Sequence, residues 1–407
     1  MAASRGPASA VPVGGPANAS RAGLAALAAC GLALVYPVFL ALMFRSHDWI
    51  LSANGHPTVS DFLEVWVAGR TALAGHPAAA YDPVLHHAAE IAAAGHPFAK
   101  ILWWQYPPLF LFVASFLALL PYGAAFIGWV AATWGFFATI MGAIARSRIG
   151  CVVVCGTPAL FINAIGGQNG ALVAALLGAT LLFLQTRPVL AGVFLGLLAF
   201  KPQFGLLLPL ALIAGGYWRA FLSAALVSAA GIGLSLAAFG IAAYQAFLHF
   251  MPMATQSILV HGANGWNNVE TVYGLVRWLG FGNGAGWTVQ LVTMALCAGT
   301  VVAVWCRDLD FELKAAALCV CALLMTPYLY IYDFAILVVA LGFLYRQRPF
   351  DGAELIAILL AQAAIGAFLF LPTPIGLIAL AIVGGMVARR IFVRPLARPL
   401  GNPGVAV

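Results

Sequence analysis

Thirteen apolar runs follow one another along this chain, most of them without a single charge. They fall at 22–44, 107–120, 123–145, 150–166, 170–186, 189–200, 203–216, 220–240, 288–305, 314–330, 334–345, 354–371 and 374–388. A helix of about 20 apolar residues covers the hydrocarbon core of a bilayer. A β-barrel would instead alternate apolar and polar residues over segments of about ten. The composition agrees. Of the 407 residues, 63% are hydrophobic and 8% charged, against roughly 25% charged in soluble domains. The fold class is therefore all-α, a polytopic transmembrane helical bundle of about 10–13 helices, with short interfacial helices in its outer loops.

A net charge of +7 would point to nucleic acid in a soluble protein. Here the basic residues stand singly. Arg146, Arg148, Arg187, Arg219, Arg307, Lys314, Arg346, Arg348, Arg389 and Arg390 all sit at ends of apolar runs. That is the positive-inside pattern of short cytoplasmic loops, and no nucleic-acid partner is implied. The seven cysteines lie in or beside apolar runs, with no metal-ligand spacing. They read as small buried hydrophobes rather than a disulfide framework.

Residues 1–21 are rich in Ala, Gly, Pro and Ser and read as a disordered cytoplasmic N-terminus. Residues 22–390 form one integral membrane domain, and 391–407 a cytoplasmic tail. The run from Ala22 continues past its small residues, so it reads as an uncleaved first helix. Arg21 places the N-terminus inside, which puts loop 45–106 outside; the arginines from Arg389 to Arg398 place the C-terminus inside. Between Tyr106 and Ala145 this orientation needs an odd number of crossings, yet two apolar runs lie there. Either Pro121-Tyr122 kinks one long element, or the boundaries shift. Several runs are too short to cross straight. Backbone freed at a break between them must be buried in protein or line a water-filled cavity, so the breaks point towards a site.

Two polar regions remain, outer loop one at 45–106 and outer loop two at 241–287. The first holds Asp61, Glu64 and Arg70 together with six histidines. Asp61 and Glu64, three residues apart, share a helical face. They suit a general base with a supporting carboxylate. They equally suit a helix start, with Ser60 as cap and acids complementing the dipole. Tyr81-Asp82-Pro83 is a turn signal. Trp103 to Pro108 reads as interfacial anchoring at the edge of a span. Gly166 to Gly170, containing Gln168 and Asn169, is either a polar break lining a cavity or a tight turn. Lys201 lies deep in apolar sequence, where a charge costs at least about 2.5 kcal/mol. It must face a cavity, a partner or a phosphate, and Pro202 breaks the helix beside it. Tyr328, Tyr330 and Tyr332 suit an aromatic belt, which leaves Asp333 unexplained. No cofactor is signalled, and the histidines show no tight metal-ligand pattern.

Taken in order, Asp61-Phe62, Trp66 to Arg70, Tyr81-Asp82-Pro83, Tyr106-Pro107-Pro108, Gly167-Gln168-Asn169, Lys201-Pro202, Pro327-Tyr328 and Tyr332-Asp333 resemble glycosyltransferase family 87 over residues 25–345. That family is similar to the polyprenol-phosphate-mannose-dependent mannosyltransferases of the GT-C superfamily. The resemblance implies a GT-C bundle in the bacterial cytoplasmic membrane, facing the periplasm or outside. It implies an inverting transfer of a hexose, mannose above all, from a polyprenyl-phosphate sugar to an envelope glycan or glycolipid. Asp61 then matches the catalytic carboxylate of the first outer loop. Lys201 would pair with the donor phosphate, with Arg70 as a second candidate. Glu64, Tyr106, Gln168, Asn169, Tyr332 and Asp333 complete the substrate-binding set. Two features depart from the pattern: Gly170 stands where an apolar residue is usual, and Trp266, Asn267, Asn268 and Glu270 find no assignment. The rival readings are a transporter or flippase using Lys201 and Asp333, and a scaffold in which Asp61 is dispensable.

Overall fold

The computed structural model describes residues 16–371 and 373–393. Every regular element among them is helical, apart from one isolated bridge between Leu51 and Pro57. Of the expected tail at 391–407, residues 394–407 lie outside the described residues, as do the first fifteen residues. The expected disordered stretch is shortened, because helix α1 already begins at Pro16 (Pro16–Arg45).

Outer loop one supplies two short helices, α2 (Asp61–Leu73) and α3 (Pro83–Ala94). Asp82 caps α3, accepting from the amides of Val84 at 2.9 Å and Leu85 at 3.0 Å, as its turn signature implies. The expected cap at Ser60 is not formed. Its hydroxyl instead hydrogen-bonds Tyr122 at 3.0 Å, while Asp61 and Glu64 occupy the first turn of α2.

The apolar sequence then divides into α4 (Leu111–Ala118), α5 (Tyr122–Ala145), α6 (Arg148–Cys155), α7 (Pro158–Gly166), α8 (Gly170–Phe183), α9 (Pro188–Leu197), α10 (Leu207–Ala214) and α11 (Trp218–Thr255). After outer loop two with α12 (Val272–Trp278) come α13 (Asn283–Trp305), α14 (Phe311–Met325), α15 (Ala335–Gln347), α16 (Gly352–Ala367) and α17 (Gly376–Phe392). The described residues hold seventeen α-helices, three of them (α2, α3 and α12) in the two polar loops. Glycine and proline cut several expected spans into separate pieces.

Among the described residues, four helices are long and apolar enough to cross a membrane: α1 from Leu27, α5, α11 with its extension to Val260, and α13. The α6–α7 pair, bent by 61°, adds a fifth if it counts as one broken span. The crossing parity between Tyr106 and Ala145 now resolves. The helix over Pro108–Ala118 is too short to cross, and α5 alone is of spanning length.

Burial separates lipid-facing helices from the core. Only 11% of the apolar window in α1 and in α11 is buried, and Leu34, Val38, Leu222, Leu226 and Leu234 stand exposed. Exposed apolar stripes of this length suit lipid rather than water. By contrast, α8, α14 and α15 are buried along most of their length and form the centre of the bundle.

The two ends of the bundle differ in kind. At one end Arg390 grips Glu354 through two bonds of 2.7 and 2.8 Å, and Arg348 reaches the same carboxylate at 2.9 Å. Arg389 holds Asp351 at 3.0 Å, and Arg346 pairs with Glu312 at 3.3 Å. This network ties α14 to α15 and joins α15, α16 and α17. At the opposite end the helices break, and the breaks enclose a cavity.

Candidate active site

Three breaks and two outer loops bring their polar residues to one place. A cavity of about 780 Å³ opens among the α7–α8 turn, the segment 200–203, the segment 326–332, both polar loops and the C-terminal half of α11. That volume lies in the range of small-ligand sites. Its polar part includes Asp61, Glu64, Lys100, Tyr106, Gln168 and Lys201. Phe247, Met251, Ala254, Ile258 and Leu259 give it an apolar wall.

The turn after α7 is built around glycine. Gly167 takes a left-handed φ of 64°, and a Cβ there would lie 2.6 Å from that of Phe62. Trp129 fixes the turn by donating to the Gly167 carbonyl at 3.0 Å. Gly170 opens α8 against the carbonyl of Tyr332, where a side chain would collide with backbone. This contact accounts for glycine at a position where the resemblance leads one to expect an apolar residue. The turn delivers Gln168 to Asp61, Nε2 donating to Oδ2 at 3.0 Å. Asn169, buried one layer behind, donates to the Tyr106 hydroxyl at 2.7 Å.

Asp61 therefore has both oxygens engaged, since Lys100 Nζ donates to Oδ1 at 3.0 Å. Glu64, one turn along α2, has a different environment. It is 6% exposed, lines the cavity and accepts no hydrogen bond from the described residues. Burial first, then the neighbouring Asp61 and Glu90, holds its carboxyl well above the usual range, with Lys100 and Lys201 opposing. Two carboxyl groups in contrasting surroundings are the usual basis for dividing acid and base roles.

Lys201 meets both a cavity and a partner. Its Nζ lies 2.7 Å from Asp333 Oδ1, with side chains 7% and 2% exposed. The ammonium also stands 5.1 Å from the Tyr332 ring centre. Lys201 and Tyr332 line the cavity, and Asp333 lies behind them. Arg70 is not brought to the site. It is exposed on α2, its guanidinium 5.1 Å from the ring of Trp66. Trp104 and Tyr106, expected as interfacial anchors, are buried at 1% and 8% exposure. Apolar neighbours such as Phe110 enclose them instead.

The sequence reading missed the contribution of outer loop two. Asn264 and Asn268 line the cavity, and Asn264 donates to the Tyr330 hydroxyl at 2.9 Å. Lys100, in outer loop one, stands in no motif of the sequence, yet it pairs with Asp61. Glu270 is fully buried and accepts from the amide of Gly376 at 2.9 Å, anchoring outer loop two to the start of α17. His86 and His87 flank buried Glu90 at 3.2 and 3.1 Å. No group of three His, Cys, Asp or Glu able to hold a metal occurs among the described residues.

The sequence model of glycosyltransferase family 87 matches residues 104–327, more than half of the chain. The chain belongs to glycosyltransferase family 87. No curated protein and no solved structure matches it. Membership makes it a membrane glycosyltransferase. The matched stretch of this family 87 protein contains Tyr106, Gln168, Asn169 and Lys201 and is narrower than the expected 25–345. Asp61 and Glu64 lie before it, yet the fold returns them to the same cavity.

Proposed function

We propose that this protein transfers a hexose, mannose by family resemblance, from a polyprenyl-phosphate donor to a hydroxyl of an envelope glycan or glycolipid. The reaction lies at the outer face of the bacterial cytoplasmic membrane, with the arginine-bearing end of the bundle inside.

The observation that carries this reading is the placement of Asp61. Its carboxylate borders a cavity that has a hydrogen-bonding part and an apolar wall. A lipid-linked sugar makes the same demand, with an isoprenoid chain behind a polar head. Asp61 accepts the proton of the acceptor hydroxyl. The acceptor oxygen forms its bond to the anomeric carbon as the bond from that carbon to the phosphate oxygen breaks. The phosphate leaves with the electron pair, on the face opposite the attack, and the configuration inverts. Gln168 holds Asp61 through Oδ2 and so fixes the carboxylate plane. Glu64, one turn along α2, faces the same cavity and can bond a sugar hydroxyl, and Asn264 and Asn268 add further polar contacts. Lys201, neutralised by Asp333, fixes the broken helix beside the head group.

The test uses purified protein in sealed vesicles with a radiolabelled polyprenyl-phosphate hexose and an envelope glycolipid extract. Label appearing in the glycolipid supports the transferase. Movement of the donor between leaflets without transfer would favour a flippase and overturn the reading.

A further inference from the structure

Resting on the donor assignment above, one feature of the site constrains the order of events. A general base must present a free oxygen to the hydroxyl it deprotonates. Here Gln168 holds Oδ2 of Asp61 and Lys100 holds Oδ1, each at 3.0 Å. One of the two must leave.

The two partners differ in freedom. Gln168 is 7% exposed, and its backbone N–H donates to the Asn163 carbonyl at 2.9 Å within the glycine-built turn. Lys100 lies on the irregular segment between α3 and α4, with its side chain 60% exposed. Exposed ion pairs contribute little and open readily. Lys100 is therefore the partner that leaves.

An anionic donor supplies a place for it to go. Lys100 and Lys201 are the cationic side chains lining the cavity among the described residues. Lys201 is committed to Asp333 at 2.7 Å in a buried pair, and opening it would strand a buried carboxylate. Arg70 is remote from the cavity. The available cation is Lys100.

We propose that Lys100 is shared between Asp61 and the donor phosphate. In the resting protein it masks the base. When a polyprenyl phosphate ester enters, the ammonium moves to the phosphate, Oδ1 is uncovered, and the acceptor hydroxyl takes the vacated position. Binding is then ordered, donor before acceptor. The same ammonium balances the charge on the phosphate as it departs.

The test measures equilibrium binding of a long-chain polyprenyl monophosphate to the purified full chain in lipid nanodiscs. Phosphatidylglycerol and inorganic phosphate serve as separate arms. Loss of a charge-assisted contact in Lys100→Gln is expected to weaken polyprenyl phosphate binding about tenfold, with Lys100→Arg retaining most of it. Asp61→Asn, which removes the competitor for Lys100, is expected to tighten binding severalfold. The double variant should bind no more tightly than Lys100→Gln. Thermal stability of Lys100→Gln should match wild type. Wild-type binding of the lipid phosphate with no change in Lys100→Gln would overturn the shared lysine and leave the donor assignment standing. No binding to wild type would overturn the donor assignment and the switch together. Equal, Lys100-dependent binding of phosphatidylglycerol would assign the lysine to bulk lipid and overturn the proposal.

Discussion

At the residue scale, the carboxyl groups at the cavity end of the bundle differ by environment more than by type. Asp61 is ion-paired and hydrogen-bonded, whereas Glu64 is buried with no hydrogen-bond partner among the described residues. Glu270, in outer loop two, is enclosed completely. Burial pushes its carboxyl up to about 8, although backbone amides at Gly376 and Leu377 oppose the shift. The folded value lies above the unfolded one, so the native state holds the proton more tightly. The associated stability is fully present below about pH 4.5 and is lost as pH rises through 8. Thermal unfolding of the protein should accordingly fall in temperature between about pH 5 and pH 8. Glu270→Gln should flatten that fall and raise the midpoint at pH 8. An unchanged pH profile in the variant would show that Glu270 does not govern it. None of this was legible beforehand. A lone glutamate among Trp and Asn carries no sequence signal that it docks on a helix more than a hundred residues later.

At the element scale, the breaks between short helices serve two purposes: they release backbone to line the cavity, and they bring distant segments into contact. The Lys201–Asp333 pair is the clearest case, linking the α9–α10 break to the start of α15 across 132 positions. Removing one partner of a buried pair costs roughly 3–5 kcal/mol, whereas replacing both with apolar groups is often neutral. Lys201→Met should therefore lower thermal stability strongly, and Lys201→Met with Asp333→Leu should recover most of the loss. If the double variant stays as unstable as the single, the pair is not what holds these elements. The cost of a charge in apolar sequence singled out Lys201, and Pro202 marked the break. The identity of its partner was not legible, because pairing across 132 positions leaves no local pattern. Likewise Ser60 and Tyr122 meet through tertiary packing, which displaced the local cap that the sequence suggested.

At the scale of the whole molecule, the arginine network and the cavity occupy opposite ends of the bundle. Helical class and the positions of the breaks were readable from apolar runs and glycines. The boundaries of individual elements were not, because short apolar helices fuse or split with tertiary contacts rather than composition. Orientation can be checked directly with thiol labelling. Native Cys306 is exposed near the arginine-bearing end, and Lys100 lies at the cavity rim. In intact spheroplasts, an impermeant maleimide should label Lys100→Cys in a Cys306→Ala background. Cys306 itself should react only after permeabilisation. The reverse pattern would invert the orientation.

In the proposed reaction, sugar transfer at this cavity depends above all on the Asp61 carboxylate. The most direct measurement is a single turnover with labelled polyprenyl-phosphate hexose and excess acceptor, comparing wild type with Asp61→Asn under donor saturation. General-base catalysis contributes roughly 10²- to 10⁴-fold. Asp61→Asn should bind donor at least as well as wild type and transfer the sugar at least about a hundredfold more slowly. Transfer by Asp61→Asn at the wild-type rate would contradict a role for this carboxylate as the base.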